Sequence, residues 1–278
     1  MNIGIIGLGL IGGSLAKSIK AQTAHSVFGI DLDNETMTLA RLCGAIDGVL
    51  DKDTVSGCDL LFLALSPQAA IDWVKDNAKE ISKSATVIDM CGVKRVVCKE
   101  LSAVAEENGF AYIGGHPMAG KERGGFVNSS DDLFNGASMI LTPDEKTDIA
   151  MLEQLKAFFT DLGFSNITFT TPEEHDSIIA YTSQLAHITS SAYVKSPTAQ
   201  MRRGFSAGSF ADMTRVARLS EDMWTELFFD NREALLPEVE GLVTRLAEYR
   251  DALRDGDPER MRQLLREGRE IKERLEEG

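Results

Sequence analysis

Short apolar runs alternate with amphipathic stretches over the first 170 residues of the chain. Six runs predict β-strands: Ile3 to Ile6, Val27 to Ile30, Leu60 to Leu65, Thr86 to Met90, Ala111 to Gly114 and Ser138 to Leu141. Between several of them lie stretches with helical spacing, namely Leu10 to Lys20, Pro67 to Glu80, Val93 to Asn108 and Lys146 to Leu162. Strands that alternate with helices build βαβ units. The pattern therefore predicts an α/β fold with a doubly wound, largely parallel sheet covered on both faces.

The pattern changes near Thr171, where strand-like runs stop and apolar residues recur at three- and four-residue spacing almost to the C-terminus. Thr171 suits a helix cap, Pro172 suits the first helical position, and the acids Glu173 and Glu174 favour the first turn. We therefore predict an α/β domain over residues 1–170 and an all-helical domain over 171–278. The charged helix from Pro258 onward either packs on its neighbours or forms part of a dimer surface.

The composition places the chain among two-domain soluble enzymes. Its 278 residues exceed what one core usually organises, and 43% of them are hydrophobic and 26% charged. The longest apolar run, Leu60 to Leu65, is far shorter than the roughly 20 residues of a membrane-spanning helix. The N-terminus has neither the basic region nor the cleavage site of a secretory signal. We expect a soluble, cytoplasmic protein.

Net charge and cysteine spacing limit the kinds of ligand and partner that the protein is expected to bind. A net charge of -14 repels nucleic acid and anionic membranes, so neither is expected to bind. An anionic substrate therefore needs a locally positive pocket. The four cysteines form no C-x-x-C pair, which favours free thiols and no metal site: Cys43, Cys58, Cys91 and Cys98.

A glycine motif, Gly7-x-Gly9-x-x-Gly12, links the first predicted strand to the first predicted helix. Gly7 allows the tight turn, Gly9 lets the backbone approach a pyrophosphate, and Gly12 lets the helix pack close to the strand. The amides of Leu10 and Ile11 open the helix and can bind that anion together with its positive dipole end. This combination predicts a Rossmann-type dinucleotide-binding domain.

Two further positions belong to the predicted cofactor site. Asp31 follows the second strand, 19 residues after Gly12, where an acid binds the ribose 2′-hydroxyl and repels a 2′-phosphate. No arginine stands immediately beside it, so NAD is favoured over NADP. Ser66 follows the strand Leu60 to Leu65, at the edge where open α/β sheets bind ligands, and is expected to line the nicotinamide pocket.

Several motifs in the chain resemble those of the prephenate/arogenate dehydrogenases of tyrosine biosynthesis. The first is the string Gly115-His116-Pro117-Met118-Ala119-Gly120, which comes after the GLGLIGGSLA opening. The others are Asp89 to Lys94, the helix from His175-Asp176 through Ser183 to His187, and Asp212 to Arg215 with Trp224. These segments occur in the family's order and cover about four fifths of the chain.

The resemblance implies a reaction and its cofactor. NAD takes the hydride from ring C4 of prephenate or arogenate, the ring carboxylate leaves as carbon dioxide, and the ring becomes aromatic. It also implies a homodimer formed through the helical domain. Because the chain ends in a charged helix, we expect a short form without a C-terminal ACT domain.

His116 is the predicted catalytic base, because a neutral imidazole can accept the C4 hydroxyl proton near neutral pH. Pro117 biases the backbone of His116 towards an extended conformation. The family match gives His187 a second catalytic role at substrate or nicotinamide and makes Ser183 its helper. Because these two residues share a helix face, the alternative is that both are structural residues whose hydrogen bonds are satisfied within the core.

Arg215 is the predicted ligand of a substrate carboxylate, because its guanidinium is planar and permanently charged. A salt bridge to Asp212 on the same helix face is the alternative. In family terms, Glu122 lies at the mouth of the site, and a cation at Lys121 favours the all-anionic prephenate over arogenate. The alternative is that Lys121 is a solvated surface lysine with no role in the site.

Gly92 departs from the family pattern, because many relatives carry there a serine that supports the catalytic histidine. Either water or Cys91 takes that role, or Gly92 allows close approach of the nicotinamide. The hydrogen-bond partner of His116 is therefore left open. Lys94 either contacts substrate or cofactor or simply begins the following helix. Asp176 either orients a histidine or faces solvent.

The sequence argues against two other functions. Another β-hydroxyacid or imine dehydrogenase usually has a catalytic lysine in its helical domain, and neither Lys195 nor Lys272 lies in a matching sequence. A non-catalytic NAD sensor would not need both His116 and Arg215. The sequence therefore favours the prephenate dehydrogenase reaction, with the arogenate reaction as the alternative.

Overall fold

A computed structural model describes residues 1–276 of the chain. Eight strands form a single sheet: β1 (Asn2–Ile6), β2 (Ser26–Ile30), β3 (Gly48–Val49), β4 (Leu60–Leu63), β5 (Thr86–Asp89), β6 (Ala111–Pro117), β7 (Ser138–Thr142) and β8 (Asn166–Phe169). Their order is β3-β2-β1-β4-β5-β6-β7-β8. Neighbouring strands in this part of the chain run parallel, except that β6 and β7 are antiparallel. The predicted doubly wound, largely parallel sheet is confirmed.

Six helices connect these strands: α1 (Leu10–Gln22), α2 (Asn34–Leu42), α3 (Lys52–Val55), α4 (Pro67–Asn77), α5 (Arg95–Asn108) and α6 (Ile149–Asp161). Their ends follow local chemistry. The Asp33 carboxylate accepts hydrogen bonds from the amides of Glu35 and Thr36 in the first turn of α2, and Asp148 accepts one from Ala150 in the first turn of α6. Gly109 ends α5 with a left-handed φ of 84°.

The two faces of the sheet carry separate apolar cores, as the alternation along β4 illustrates. Leu60 and Phe62 join the core formed with α1 and α6, whereas Leu61 and Leu63 join the core formed with α4 and α5. All four residues of β4 are buried. A strand covered by helices on both faces is apolar throughout, so this central strand reads as a continuous hydrophobic run.

In its described part, the chain after β8 contains helices and connecting turns but no further strand. It contains α7 (Pro172–Ile179), α8 (Ala186–Tyr193), α9 (Gly208–Thr214), α10 (Glu221–Asp230), α11 (Arg232–Arg254) and α12 (Pro258–Glu276). A six-residue π-helical turn, Ala180–Leu185, joins α7 to α8. Thr171 caps α7 through the amide of Glu174, as its position predicts. The predicted helical character of this region is confirmed.

Two compact units are present. The first, Met1–Asn231, contains the sheet and helices α1 to α10, and the second begins at Arg232. Within the second unit α11 and α12 pack on each other, and the Tyr249 hydroxyl donates to the Leu264 carbonyl at 3.3 Å. The domain boundary at residue 170 stays a prediction, and residues 277 and 278 of the predicted helical domain lie outside the described part. Within residues 1–276, none of the helices combines the length and apolarity needed to cross a membrane.

Candidate active site

The turn between β1 and α1 is shaped by its glycines. Gly7 has a φ of +86°, and a Cβ there would lie 2.5 Å from the carbonyl oxygen of Ala64. A Cβ on Gly12 would lie only 1.9 Å from the Gly7 carbonyl oxygen. At Gly9, by contrast, a Cβ would meet nothing within 4 Å. Gly7 and Gly12 are thus required by the fold, whereas Gly9 borders open space at the start of the helix.

The start of α1 offers backbone amides to an anion. Gly9 is the cap residue and provides no side-chain acceptor, and the first turn contains no acidic residue. The first amides of an α-helix have no acceptor within the helix, and those of α1 belong to Leu10, Ile11 and Gly12. A diphosphate next to Gly9 would be held by these amides and by the helix dipole.

Asp31 lies at the end of β2, next to the glycine turn. Its carboxylate accepts hydrogen bonds from the amides of Leu8 at 2.7 Å and Asp33 at 2.9 Å. A cavity of about 310 Å³ opens beside it and is lined by Ile30, Asp31, Asn34, Met37, Thr38, Arg41 and Val49. These residues fit the adenosine half of a dinucleotide. Arg41, in the last turn of α2, also lines the cavity, although it lies ten residues after Asp31 in the sequence.

His116 lies near the end of β6, where its backbone pairs with Ile140 of β7. Its Nδ1 is 2.9 Å from Nε2 of His175, and the two rings meet edge to face with centroids 5.1 Å apart. Nδ1 of His175 in turn lies 2.7 Å from Oδ1 of Asp176. The partner of His116 that the sequence left open is therefore His175. The adjacent His-Asp pair at the start of a predicted helix was the available signal.

Asp176 is fixed by the start of helix α5. Its carboxylate accepts the amides of Lys94 at 2.8 Å and Arg95 at 2.9 Å, so it caps that helix across the sequence. Asn231 donates to the backbone carbonyl of Asp176 at 2.8 Å. Burial raises the pKa of Asp176, but the hydrogen bonds from His175 and these amides outweigh it and hold that pKa below its usual value. Asp176 is therefore an ionised acceptor that orients a histidine.

The surroundings of His116 keep its imidazole neutral. Burial lowers the pKa of His116 well below its usual value, and a positive charge on His175 or on Lys94 lowers it further. Burial also lowers the pKa of His175, although the hydrogen bond to Asp176 opposes that shift. A neutral imidazole that is only partly exposed can accept a proton near neutral pH.

Lys94 is the cap residue at the start of α5, which agrees with the interpretation that it begins the following helix, but its side chain points into the interior. Its side chain is fully buried, and its ammonium binds the carboxylate of Asp89 and the carbonyl of Gly115. The Tyr112 hydroxyl donates to the other oxygen of Asp89 at 2.6 Å. Lys94 thus lies in the interior with its charge neutralised, and it fixes the backbone immediately before His116.

His187 occupies a second histidine environment on α8. Its Nδ1 donates to the Val216 carbonyl at 3.1 Å, and its ring centroid lies 3.9 Å from that of Trp224. Burial lowers the pKa of His187, the hydrogen bond to Val216 opposes this, and the charge of Arg215 lowers it again. Arg215 follows α9, is exposed, and within residues 1–276 forms no salt bridge with Asp212. Its guanidinium therefore stays near His187 without an internal carboxylate partner there.

The remaining predicted cofactor positions lie at the ends of β4 and β5. Ser66 is half-buried at the cap of α4, where the amide of Gln68 donates to Glu226 of α10 at 2.8 Å. A Cβ on Gly92 would meet Leu227 at 3.4 Å, an ordinary contact, so this position has room for a side chain. The Cys91 thiol faces the Leu65 carbonyl at 3.6 Å, so it does not act as the hydrogen-bond partner of His116.

The remaining predicted substrate residues are less constrained. Ser183 is half-buried within the π-helical turn, so simple α-helical spacing does not describe its relation to Asp176. The Lys121 ammonium donates to the carbonyl of Asn128 at 2.9 Å and to the hydroxyl of Ser130 at 3.0 Å. Glu122 is exposed. The Lys121 side chain is therefore tied to a neighbouring loop, whose Ser130 amide in turn donates to Ser14 of α1 at 3.1 Å.

Comparisons with known proteins match this arrangement. The family described as prephenate dehydrogenase, nucleotide-binding domain, matches residues 15–167, and prephenate dehydrogenase, dimerization domain, matches residues 171–267. The cyclohexadienyl dehydrogenase of Zymomonas mobilis is 31% identical over 92% of this chain and 90% of its own length.

Two solved structures resemble the whole chain. Prephenate dehydrogenase from A. aeolicus, in complex with hydroxyphenyl propionate and NAD+, has a TM-score of 0.83 and 28% identity, covering 100% of this chain and 98% of its own. Arogenate dehydrogenase from Synechocystis has a TM-score of 0.80 and 26% identity, covering 98% and 99%. Because both family domains are matched in order over residues 15–167 and 171–267, this chain belongs to the prephenate dehydrogenase family.

Proposed function

We propose that this chain catalyses the NAD-dependent oxidative decarboxylation of prephenate to 4-hydroxyphenylpyruvate. Family membership supports the reaction class. The observation that carries the proposal is His116, a neutral imidazole held at the end of β6 by a buried hydrogen-bond partner. A neutral base at the same edge of the sheet as the glycine turn suits the oxidation of an alcohol, in which the hydroxyl loses a proton and its carbon loses a hydride.

The dinucleotide is assigned to the turn after β1 and to the end of β2. The amides of Leu10, Ile11 and Gly12 bind its diphosphate beside Gly9, and Asp31 binds the adenosine ribose. We place the nicotinamide towards Ser66 and Gly92, at the ends of β4 and β5. When bound, NAD supplies the acceptor for the hydride that leaves ring C4.

The chain's own residues handle the proton and the carboxylates. His116 accepts the C4 hydroxyl proton as the carbonyl develops, which drives loss of the ring carboxylate as carbon dioxide and formation of the aromatic ring. Arg215 binds a substrate carboxylate through its planar guanidinium. His187, held by Val216 and Trp224, contacts the substrate beside Arg215, and Ser183 assists it. Glu122 lies at the entrance to the site.

Arogenate is the second candidate substrate, since it differs from prephenate in carrying an ammonium on its side chain. The Lys121 cation is tied to Asn128 and Ser130, which leaves its charge in place at the entrance but limits its reach. That fixed positive charge favours prephenate. The preference is therefore expected to be a difference in KM more than in kcat.

Purified protein with NAD and either prephenate or arogenate tests the proposal directly, with NADH absorbance as the readout. We expect NADH formation with prephenate and a lower kcat/KM with arogenate. A reversed order would make the chain an arogenate dehydrogenase, and no NADH with either substrate would exclude both. Lys121→Gln provides a matched variant, in which the preference for prephenate should shrink.

We also propose that the protein is a cytoplasmic homodimer formed through its helical domain. The match to a family domain described as a dimerization domain supports the dimer. Helices α11 and α12 carry exposed apolar side chains that suit burial against a second copy: Leu236, Val243, Leu246, Leu253, Leu265, Ile271 and Leu275. Sedimentation of the purified protein tests this, because a monomer at micromolar concentration would contradict it.

A further inference from the structure

We propose that His175 and Asp176 lock His116 in the tautomer whose Nε2 carries no proton, so that this nitrogen is the atom that accepts the substrate proton. The proposal makes His175 and Asp176 positioning residues. It rests on the proposed function for the role of His116, but the tautomer itself is a property of the free protein.

The direction of the hydrogen bonds begins at Asp176. An ionised carboxylate can only accept, and the amides of Lys94 and Arg95 already donate to this one. Nδ1 of His175, 2.7 Å from Oδ1 of Asp176, must therefore carry a proton. In the neutral form of His175, Nε2 then has a lone pair and no hydrogen.

The same logic fixes His116. Nε2 of His175 can only accept, so Nδ1 of His116, 2.9 Å away, must be the donor. The neutral His116 ring then has a proton on Nδ1 and a free lone pair on Nε2. One ring nitrogen is thus committed to the protein interior and the other is left for the substrate. Without a partner, an imidazole exchanges between two tautomers, and one of them would place a proton on the nitrogen that must accept.

The surrounding contacts prevent this arrangement from reversing. The side chain of His175 is fully buried, and that of Asp176 is almost so. Asp176 cannot turn away, because two amides of α5 bind its carboxylate and the Asn231 side chain binds its carbonyl. Asn231 also donates to Gln184 at 2.8 Å, which ties the same residues to the π-helical turn. The Asp176 carboxylate, which is the final acceptor in this series of hydrogen bonds, is therefore held in place.

Two substitutions at one position separate hydrogen bonding from bulk. In His175→Gln, the amide nitrogen can donate to Asp176 and the amide oxygen can accept from His116, since these atoms are spaced like the two ring nitrogens. In His175→Leu, the volume is largely kept but both hydrogen bonds are lost. His25→Gln serves as the control, because the His25 ring contacts the N-terminal ammonium of Met1 and not the His116 site.

The first measurement is the tautomer, observed by NMR of protein labelled with ¹⁵N-histidine at neutral pH. The chain has only four histidines, so each ring can be assigned by substitution. We expect His116 to carry its proton on Nδ1 in the wild type, in His175→Gln and in His25→Gln. In His175→Leu we expect a substantial population with the proton on Nε2. A wild-type His116 protonated on Nε2 would overturn the proposal, even if no variant folded.

The second measurement is kcat, together with KM for prephenate and Kd for NAD. His175→Leu should lower kcat by about 10²-fold or more, as expected for a base in the wrong tautomer, with Kd for NAD nearly unchanged. His175→Gln should recover most of that loss. A wild-type kcat in folded His175→Leu would contradict the proposal, as would a kcat in His175→Gln as low as in His175→Leu. Absence of activity in the wild type would instead refute the proposed function and leave the NMR result standing.

Discussion

At the scale of single residues, the candidate site depends on which groups are charged. His116 must be neutral to accept a proton, and burial together with the nearby ammonium of Lys94 lowers its pKa. Asp176 must be ionised to act as an acceptor, and the amides that bind it lower its pKa. Both shifts favour the reactive state at neutral pH. Residues from separate sequence motifs therefore support one another through contacts that their spacing in the sequence does not reveal.

The lowered pKa of His116 predicts the pH dependence of the reaction. Activity requires the unprotonated ring, so it is present above the pKa of His116 and is lost as the pH falls through it. Because that pKa lies well below 6.5, kcat/KM should not yet be halved at pH 6.5, where a free imidazole would be half protonated. The pH profile of kcat/KM, which reports the free enzyme, provides the measurement. A midpoint at or above 6.5 would show that the base is not in this environment.

Arg215 provides a second test at this scale. In Arg215→Ala the loss of a bidentate carboxylate contact should raise KM for prephenate by roughly tenfold or more, with a smaller change in kcat. Arg218→Ala is the control, because Arg218 is also exposed and lies only three residues away. Equal increases in KM for the two variants would contradict a specific carboxylate contact and show that Arg215 contributes only positive charge.

At the scale of elements, two glycines of the turn between β1 and α1 serve different purposes, one in folding and the other in cofactor binding. Gly12 packs against the Gly7 carbonyl, whereas Gly9 borders open space. The motif has the same letter at both positions, and only the structure reveals that the reasons differ. A side chain at the first site conflicts with backbone, and a side chain at the second occupies the space next to the helix start.

The contrast gives a paired prediction. Gly9→Ala should leave the thermal midpoint nearly unchanged and weaken NAD binding by about tenfold or more, since the methyl group occupies the approach to the diphosphate. Gly12→Ala should lower the thermal midpoint as well, because its Cβ would lie 1.9 Å from the Gly7 oxygen. Calorimetric titration with NAD and thermal unfolding distinguish the two. A large loss of stability in Gly9→Ala would contradict the assignment.

Strong periodic elements were predictable from the sequence, and weak ones were not. The six predicted strands all exist, but β3 has two residues and β8 is largely exposed, so neither gives an apolar run. Helix α2 has only Ala40 buried and was missed for the same reason. The π-helical turn Ala180–Leu185 is not visible in a three- and four-residue spacing. The motif residues were identified, whereas the contact between His116 and His175, 59 residues apart, depends on tertiary packing.

At the scale of the whole molecule, the change in sequence pattern and the compact units lie at different places. The pattern changes near Thr171, but helices α7 to α10 belong to the same compact unit as the sheet, and that unit ends at Asn231. Long-range contacts account for this. Asp176 caps α5, and Glu226 accepts from the start of α4. Periodicity identifies the type of element, but not the elements that it packs against.

The buried pair of Lys94 and Asp89 predicts a property of the whole fold. Lys94→Met removes the ammonium and leaves a buried carboxylate without its cation, which should lower the free energy of unfolding by about 3–5 kcal/mol. Lys75→Met is the control, because the Lys75–Glu100 pair lies at the surface, where solvent screens it, and its loss should change the free energy of unfolding far less. Urea unfolding measures both. Equal losses would show that Lys94 stabilises the fold no more than a surface ion pair does.

The central claim is that His116 removes the substrate proton, and His116→Asn tests it most directly. Asparagine keeps a polar side chain of similar size but cannot act as a base near neutral pH. The measurement is kcat with prephenate and NAD, alongside Kd for NAD by titration. The account predicts a fall in kcat of at least about 100-fold with Kd nearly unchanged. A kcat equal to that of the wild type would contradict it.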